Sequence, residues 1–227
     1  MGSNLSKTLF DKNNQIGGIM ICGINDGYSK KDIKKESGQD KSIYIDQKDT
    51  FFSNEKCRSN PFKSSIIKWF RLWGIPLSED ENGAGHLERS ISQINWIPQR
   101  STSFTSNVKK SCIAENNDFY DALGYFKPLI IVLAGVGMHD AMESKQLRDK
   151  THSIIGDIQE TRFVNGASYK NVAHTDFKKA FRSKVVRYEK STIIAMPHPS
   201  ARGLSDKYII DSATRNSIAC IFEKYQS

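Results

Sequence analysis

A histidine held between two prolines, Pro197-His198-Pro199, closes the apolar run 191–196 and leads into Ser200-Ala201-Arg202-Gly203. Three other apolar runs also end on small or polar groups: Asn25-Asp26-Gly27, Asn95-Trp96 and Gly135-Val136-Gly137. These residue types suit a reaction in which charge develops and water attacks. An imidazole exchanges or donates a proton near neutral pH. A primary amide presents donor and acceptor together. A carboxylate such as Asp26 either activates water or caps the turn around it. Each group also has an ordinary structural use: Asn-Asp-Gly is a common turn, Gly27 suits a positive φ, and a lone histidine often serves only its own turn. The Gly135-Val136-Gly137 segment lacks the third glycine of a dinucleotide fingerprint. The weight comes from where these groups are delivered.

Their placement follows from the elements around them. The runs 17–25, 90–98, 129–137 and 191–199 are short and rich in β-branched residues, which predicts buried strands. The segment 61–74 sets Phe62, Ile66, Trp69, Phe70 and Trp73 on one helical face, and 116–128 does the same with Phe119, Leu123 and Phe126 before stopping at Pro128. Ser205 is placed to cap a last helix carrying Ile209, Ala213, Ile218, Ile221, Phe222 and Tyr225 on one face, with Ile210 just off it. Strands alternating with helices predict an α/β fold: a three-layer, doubly wound sheet of about four parallel strands with helices on both faces, as a single domain over 1–227. In such a sheet ligands bind beyond the C-terminal strand ends, where three polar groups, from 25–26, 95 and 198, are delivered to one edge. Two segments resist the scheme and are expected as long loops or insertions: the polar, Lys-rich 29–60, and 155–190 with its turn at Val164-Asn165-Gly166. The second carries Lys170, Lys178, Lys179, Arg182, Lys184, Arg187 and Lys190, a solvated face or a phosphate-contacting patch.

Thirty-three basic against 25 acidic residues give a formal charge of +8, which favours polyanionic partners without identifying one. No apolar run approaches the roughly 20 residues that span a bilayer. The start lacks the basic and apolar stretches of a secretory signal, and Met-Gly-Ser-Asn-Leu-Ser fits a myristoylation pattern only loosely. The expectation is a monomer outside the membrane, cytoplasmic or, in a eukaryote, nuclear. Cys22, Cys57, Cys112 and Cys220 contain no C-x-x-C pair, so reduced, mostly buried thiols are expected rather than zinc ligands or an iron–sulfur cluster.

Taken together, Gly23-Ile24-Asn25-Asp26-Gly27 and His198-Pro199-Ser200-Ala201-Arg202-Gly203 resemble the first and second motifs of the uracil-DNA glycosylase superfamily. The similarity is greatest to its single-strand-selective and mismatch-specific branches, where the motifs read G-[IM]-N-P-G and H-P-S-P followed by Arg or Leu. The Pro61-Phe62 helix start and the strand-end Ile94-Asn95-Trp96 fall in the matching order. The resemblance runs from about residue 17 to 221 in architecture, on a dozen or so signature residues. It implies a monofunctional base-excision repair enzyme, a DNA N-glycosylase that flips uracil or another deaminated base out of the strand and hydrolyses its N-glycosidic bond without metal or cofactor. His198 would donate to the base O2, and Asn25 would position water at the sugar carbon. Asn95 would read the uracil edge and Phe62 would stack on it, with Gly23 and Gly27 shaping the pocket and Tyr28 excluding the thymine methyl group. Arg202 would fill the gap left in the base stack, while Ser200 and Gly203 would hold phosphates. The chain departs from the pattern three times, once at Tyr28, which directly follows Gly27 where the small-residue pattern is missing and which excludes thymine or serves the core or a lid. Asp26 stands where those branches have proline, as a second water-activating base or as a turn cap. Ala201 replaces the second proline of H-P-S-P, which loosens that loop. Two alternatives stay open: a catalytically weak member of the fold that binds DNA or protein, and a nucleotide or nucleoside hydrolase.

Overall fold

The structure is a computed structural model that describes residues 7–8, 16–24, 61–78, 84–97, 108–165, 169–170, 178–179, 181–199, 201 and 204–225. In chain order the strands are β1 (Lys7–Thr8), β2 (Ile19–Gly23), β3 (Ile91–Asn95), β4 (Ile130–Ala134), β5 (Ile158–Asn165), β6 (Tyr169–Lys170), β7 (Lys178–Lys179), β8 (Arg182–Tyr188) and β9 (Thr192–Met196). The helices are α1 (Pro61–Leu72), α2 (His86–Arg89), α3 (Val108–Ala114), α4 (Asn117–Phe126), α5 (Val136–Met142), α6 (Arg148–Ile155), α7 (Asp206–Arg215) and α8 (Ile218–Ile221), followed by a 3-10 turn at Glu223–Tyr225.

Seven strands form one sheet in the order β1-β3-β2-β4-β9-β8-β5, and β6 pairs with β7 in a separate ladder. The four expected strands are its parallel centre, β3-β2-β4-β9. β1 adds antiparallel at one end, and β8 and β5 add antiparallel at the other. The central strands are buried on both faces, which is why β2, β4 and β9 are near-continuous apolar runs, while β3 buries Ser92 and Gln93 between its isoleucines. Successive residues still sort by face. Ile19 and Ile21 of β2 pack with Ile66, Trp69 and Phe70 of α1 and Ile209 and Ala213 of α7. Met20 and Cys22 pack with Cys112 of α3, Phe119 and Leu123 of α4 and Met138 of α5. The result is the expected three-layer α/β arrangement with helices on both faces. No helix among the described residues is long and apolar enough to cross a membrane.

The segment 155–190 departs from its expectation as a loop. β5 and β8 run through it as a paired hairpin, with Thr161 opposite Val186 and Phe163 opposite Lys184. β8 alternates poorly because Lys184, only 7% exposed, turns inward to an ion pair with Asp140 of α5. The C-terminal helix also differs. Ser217 takes a left-handed φ of 51°, so a single expected helix becomes α7 and α8, while Ile209, Ala213, Ile218, Phe222 and Tyr225 stay buried and Ile210 is exposed as expected. Cys22 and Cys112 are buried free thiols, whereas Cys220 is an exposed one. Cys57 and the whole of 29–60 lie outside the described residues.

Candidate functional site

The chain leaves β2 for β3 on one side and, after returning, adds β4 on the other, so the strand order reverses between β2 and β4. Such a switch point opens a crevice beyond the C-terminal strand ends, because helices depart from it to opposite faces. Here α1 covers one face and α5, starting directly after β4, covers the other.

At the crevice the register aligns Gly23 with Asn95, Cys22 with Leu133, and Ala134 with Met196. Asn95, Gly23, Ala134 and Met196 thus make the last row of the face covered by α1 and α7. The row spans three inter-strand steps, about 14 Å, with its two smallest residues in the middle. A Cβ added at Gly23 would lie 2.6 Å from Asn95 Oδ1, 3.4 Å from Phe62 Cζ and 3.6 Å from Phe62 Cε2. Only a glycine lets the amide and the ring approach the strand end this closely. Phe62 comes from the first turn of α1, where Pro61 occupies a helix start that needs no amide donor. Both Phe62 and Asn95 are half-buried, so each keeps a surface for a ligand.

The strand ends are held from behind. Trp96 is fully buried, stacks on Phe119 at 4.0 Å between ring centroids and donates its indole N–H to the Cys112 carbonyl at 3.0 Å. With Trp96 anchored in one layer, Asn95 must face the other. The Trp96 and Ile97 amides donate to the carbonyls of Gly23 and Ile24, which carries the β2/β3 pairing past the last ladder residues. On the neighbouring strand Gly135 opens α5, and a Cβ there would lie 2.9 Å from Ile24 Cδ1.

His198 follows β9 by two residues and is half-buried behind a buried Pro197. Desolvation lowers its pKa below the ordinary histidine value, which favours the neutral imidazole at pH 7. The Ala201 amide donates to the His198 carbonyl at 2.8 Å and the Leu204 amide donates to the Ala201 carbonyl at 3.2 Å. Ser205 then accepts from the Tyr208 amide at 3.2 Å as the expected cap of α7. The Ala201 N–H makes a bond to the His198 carbonyl that a proline at this position has no hydrogen to make.

Of the residues singled out from sequence, Gly23, Phe62 and Asn95 meet at one point, and His198 stands on the same sheet edge, beyond β9. Asn25, Asp26, Gly27, Tyr28, Ser200, Arg202 and Gly203 lie outside the described residues. The sequence reading passed over three nearby residues. Trp96 is the anchor just described. Gln93, one pleat below Asn95 on the same side of β3, is buried with an Oε1 that accepts no hydrogen bond. Lys63, beside Phe62, has no exposed surface, a burial that lysine rarely adopts without a function or a partner. Gln93 stood out as a polar residue between Ile91 and Ile94, whereas Lys63, followed by Ser64 and Ser65, carried no such signal.

A separate polar network lies on the opposite face, where α5 and α6 meet β8. Tyr188 Oη donates to Glu143 Oε1 at 2.7 Å and lies 3.2 Å from His139 Nε2. His152 bridges Glu143 at 3.2 Å and Asp157 at 2.7 Å. No group of three or more His, Cys, Asp or Glu side chains among the described residues is arranged to hold a metal ion. In sequence comparisons no family model and no curated protein matches this chain.

Proposed function

We propose that the protein is a DNA glycosylase that hydrolyses the N-glycosidic bond of uracil, or of a related deaminated base, in DNA. The observation that carries this reading is the meeting of an amide, Asn95, and an aromatic face, Phe62, over the side-chain-free Gly23, with His198 on the same edge. Phe62 offers a stacking surface for an extruded base, and Asn95 offers paired acceptor and donor positions for its edge. In the reaction the C1′–N1 bond breaks, its electron pair leaves with the base, and water oxygen bonds to C1′ while its proton is released. The leaving base carries negative charge on its O2 side. A neutral His198 N–H directed there lowers the barrier without itself losing the proton, and burial favours that neutral form. Asn25 positions the water and Asp26 either assists it or closes the turn, as the resemblance implies; Arg202, Ser200 and Gly203 take the roles of wedge and phosphate grip.

Single-turnover incubation with oligonucleotides bearing one uracil, hypoxanthine, xanthine or thymine, each single-stranded and in a duplex with the thymine opposite guanine, tests this after alkaline cleavage of abasic sites. Uracil is expected to be released and thymine retained. Release of base from free deoxyuridine but from no oligonucleotide would favour a nucleoside hydrolase instead.

A further inference from the structure

On the face covered by α1 and α7, Glu160 and Arg162 of β5 stay exposed. The register sets two cross-strand rows there: Glu160 beside Arg187 of β8 and Thr192 of β9, and Arg162 beside Val185. Opposite these rows stands the α7–α8 junction, from Asn216 to Ile221, and between floor and roof lies a cleft of about 330 Å³. That is within the range of volumes that hold small ligands. Thr192 opens β9 and Met196 ends it, about 13 Å further along the strand, so the cleft lies at the opposite end of the sheet from His198.

Three features here suit an occupant better than they suit the fold. Asn216 forms part of the wall, is 1% exposed, and has no hydrogen-bond partner for Nδ2 or Oδ1 among the described residues. A buried amide left unmatched costs stability, and nothing in the folded chain offsets that cost. Beside it Ser217 holds a left-handed φ of 51° without being glycine, a strain that tends to persist at ligand clamps. At the rim Arg162 is bound by Glu160 at 2.8 Å and 3.2 Å. No hydrogen bond or ion pair among the described residues holds Arg187, so the rim carries one positive charge in excess. Val185 and Ile221 supply apolar wall between the amide and that charge.

We propose that this cleft binds a nucleoside monophosphate, with the phosphate on Arg187 and a donor–acceptor edge of the base on the Asn216 amide. The site is separate from the His198 edge and does not rest on the glycosylase reading. Cys220 provides the probe, because its thiol lines the cleft and is exposed while Cys22 and Cys112 are buried. In a Cys57→Ser background the rate of maleimide labelling at Cys220 reports occupancy. Adenosine and uridine 5′-monophosphate are expected to slow labelling saturably. The nucleosides and inorganic phosphate are each expected to need a concentration at least about tenfold higher, since each supplies half of the contacts. Arg187→Gln is expected to weaken protection by about tenfold. Asn216→Leu is expected to weaken it by a similar factor while raising Tm, because it removes the unmatched amide. A purely structural amide would not move stability and binding in opposite directions. Arg187 is exposed, so its variant covers the case of an Asn216 variant that does not fold. No protection by either nucleotide up to about 10 mM overturns the site. So does protection by inorganic phosphate equal to that by the nucleotides, which would mean an adventitious ion only, or protection unchanged in both variants.

Discussion

At position 23 a hydrogen stands where any other residue would place carbon between an amide and an aromatic ring. Gly23→Ala puts that carbon 2.6 Å from Asn95 Oδ1, closer than packed atoms approach, so the amide must turn away from the strand end. Overpacking of this kind costs about 1–3 kcal/mol, and a reading group displaced by about 1 Å costs on the order of 100-fold in rate. The expected variant is folded, with a slightly lower Tm, and strongly impaired in single-turnover base release. A folded Gly23→Ala with wild-type release would remove Asn95 from the mechanism. Ala201 makes a second case. Restoring the proline of the resembling families would normally stiffen a loop, but here it deletes the hydrogen bond to the His198 carbonyl. Ala201→Pro is therefore expected to destabilise by about 1 kcal/mol in denaturant unfolding, not to stabilise.

Among the elements, the α5–α6–β8 network is expected to make the fold less stable in acid. Tyr188 donates to Glu143, so it accepts from His139 Nε2, and His139 Nδ1 is left buried without a partner. Desolvation, helped by the Lys184 charge against the opposing pull of Glu143 and Asp140, lowers the His139 pKa to about 4. The unfolded chain binds this proton near 6.5, so the folded state is favoured above that pH, and the contribution is lost as pH falls from 6.5 toward 4, by about 3 kcal/mol in all. Thermal unfolding between pH 7.5 and 4.5 is expected to show this loss, and His139→Leu to flatten the curve in that window; an unchanged curve would assign the acid sensitivity elsewhere. This network was not legible in the sequence, because its members stand at 139, 143, 152, 157 and 188 and meet only through the fold. The central strands were legible, since burial on both faces forces uninterrupted apolar runs such as Ile19 to Cys22 and Ile193 to Met196. β5 and β8 were not, because strands at one side of the sheet carry Glu160, Arg162 and Arg187 outward and Lys184 inward, which reads as a charged loop. The break before α8 depends on the left-handed Ser217, a conformation that no local pattern announces.

For the whole molecule, the C-terminal edge of the parallel strands collects Asn95, Gly23 with Phe62 above it, and His198. That much of the site was legible because strand ends in a doubly wound sheet converge whatever the loops between them do. The burial of Trp96, Gln93 and Lys63 was not, since it depends on which layer each faces. The central claim is that this edge hydrolyses a base from DNA with His198 as electrophile. Its most direct test is a single-turnover assay, enzyme in excess, on an oligonucleotide with one uracil, comparing wild type with the Asn25→Ala, His198→Ala double variant. Abasic product is expected from the wild type, with a loss of at least about 100-fold in the variant. No product from the wild type, or equal product from the folded double variant, would contradict it.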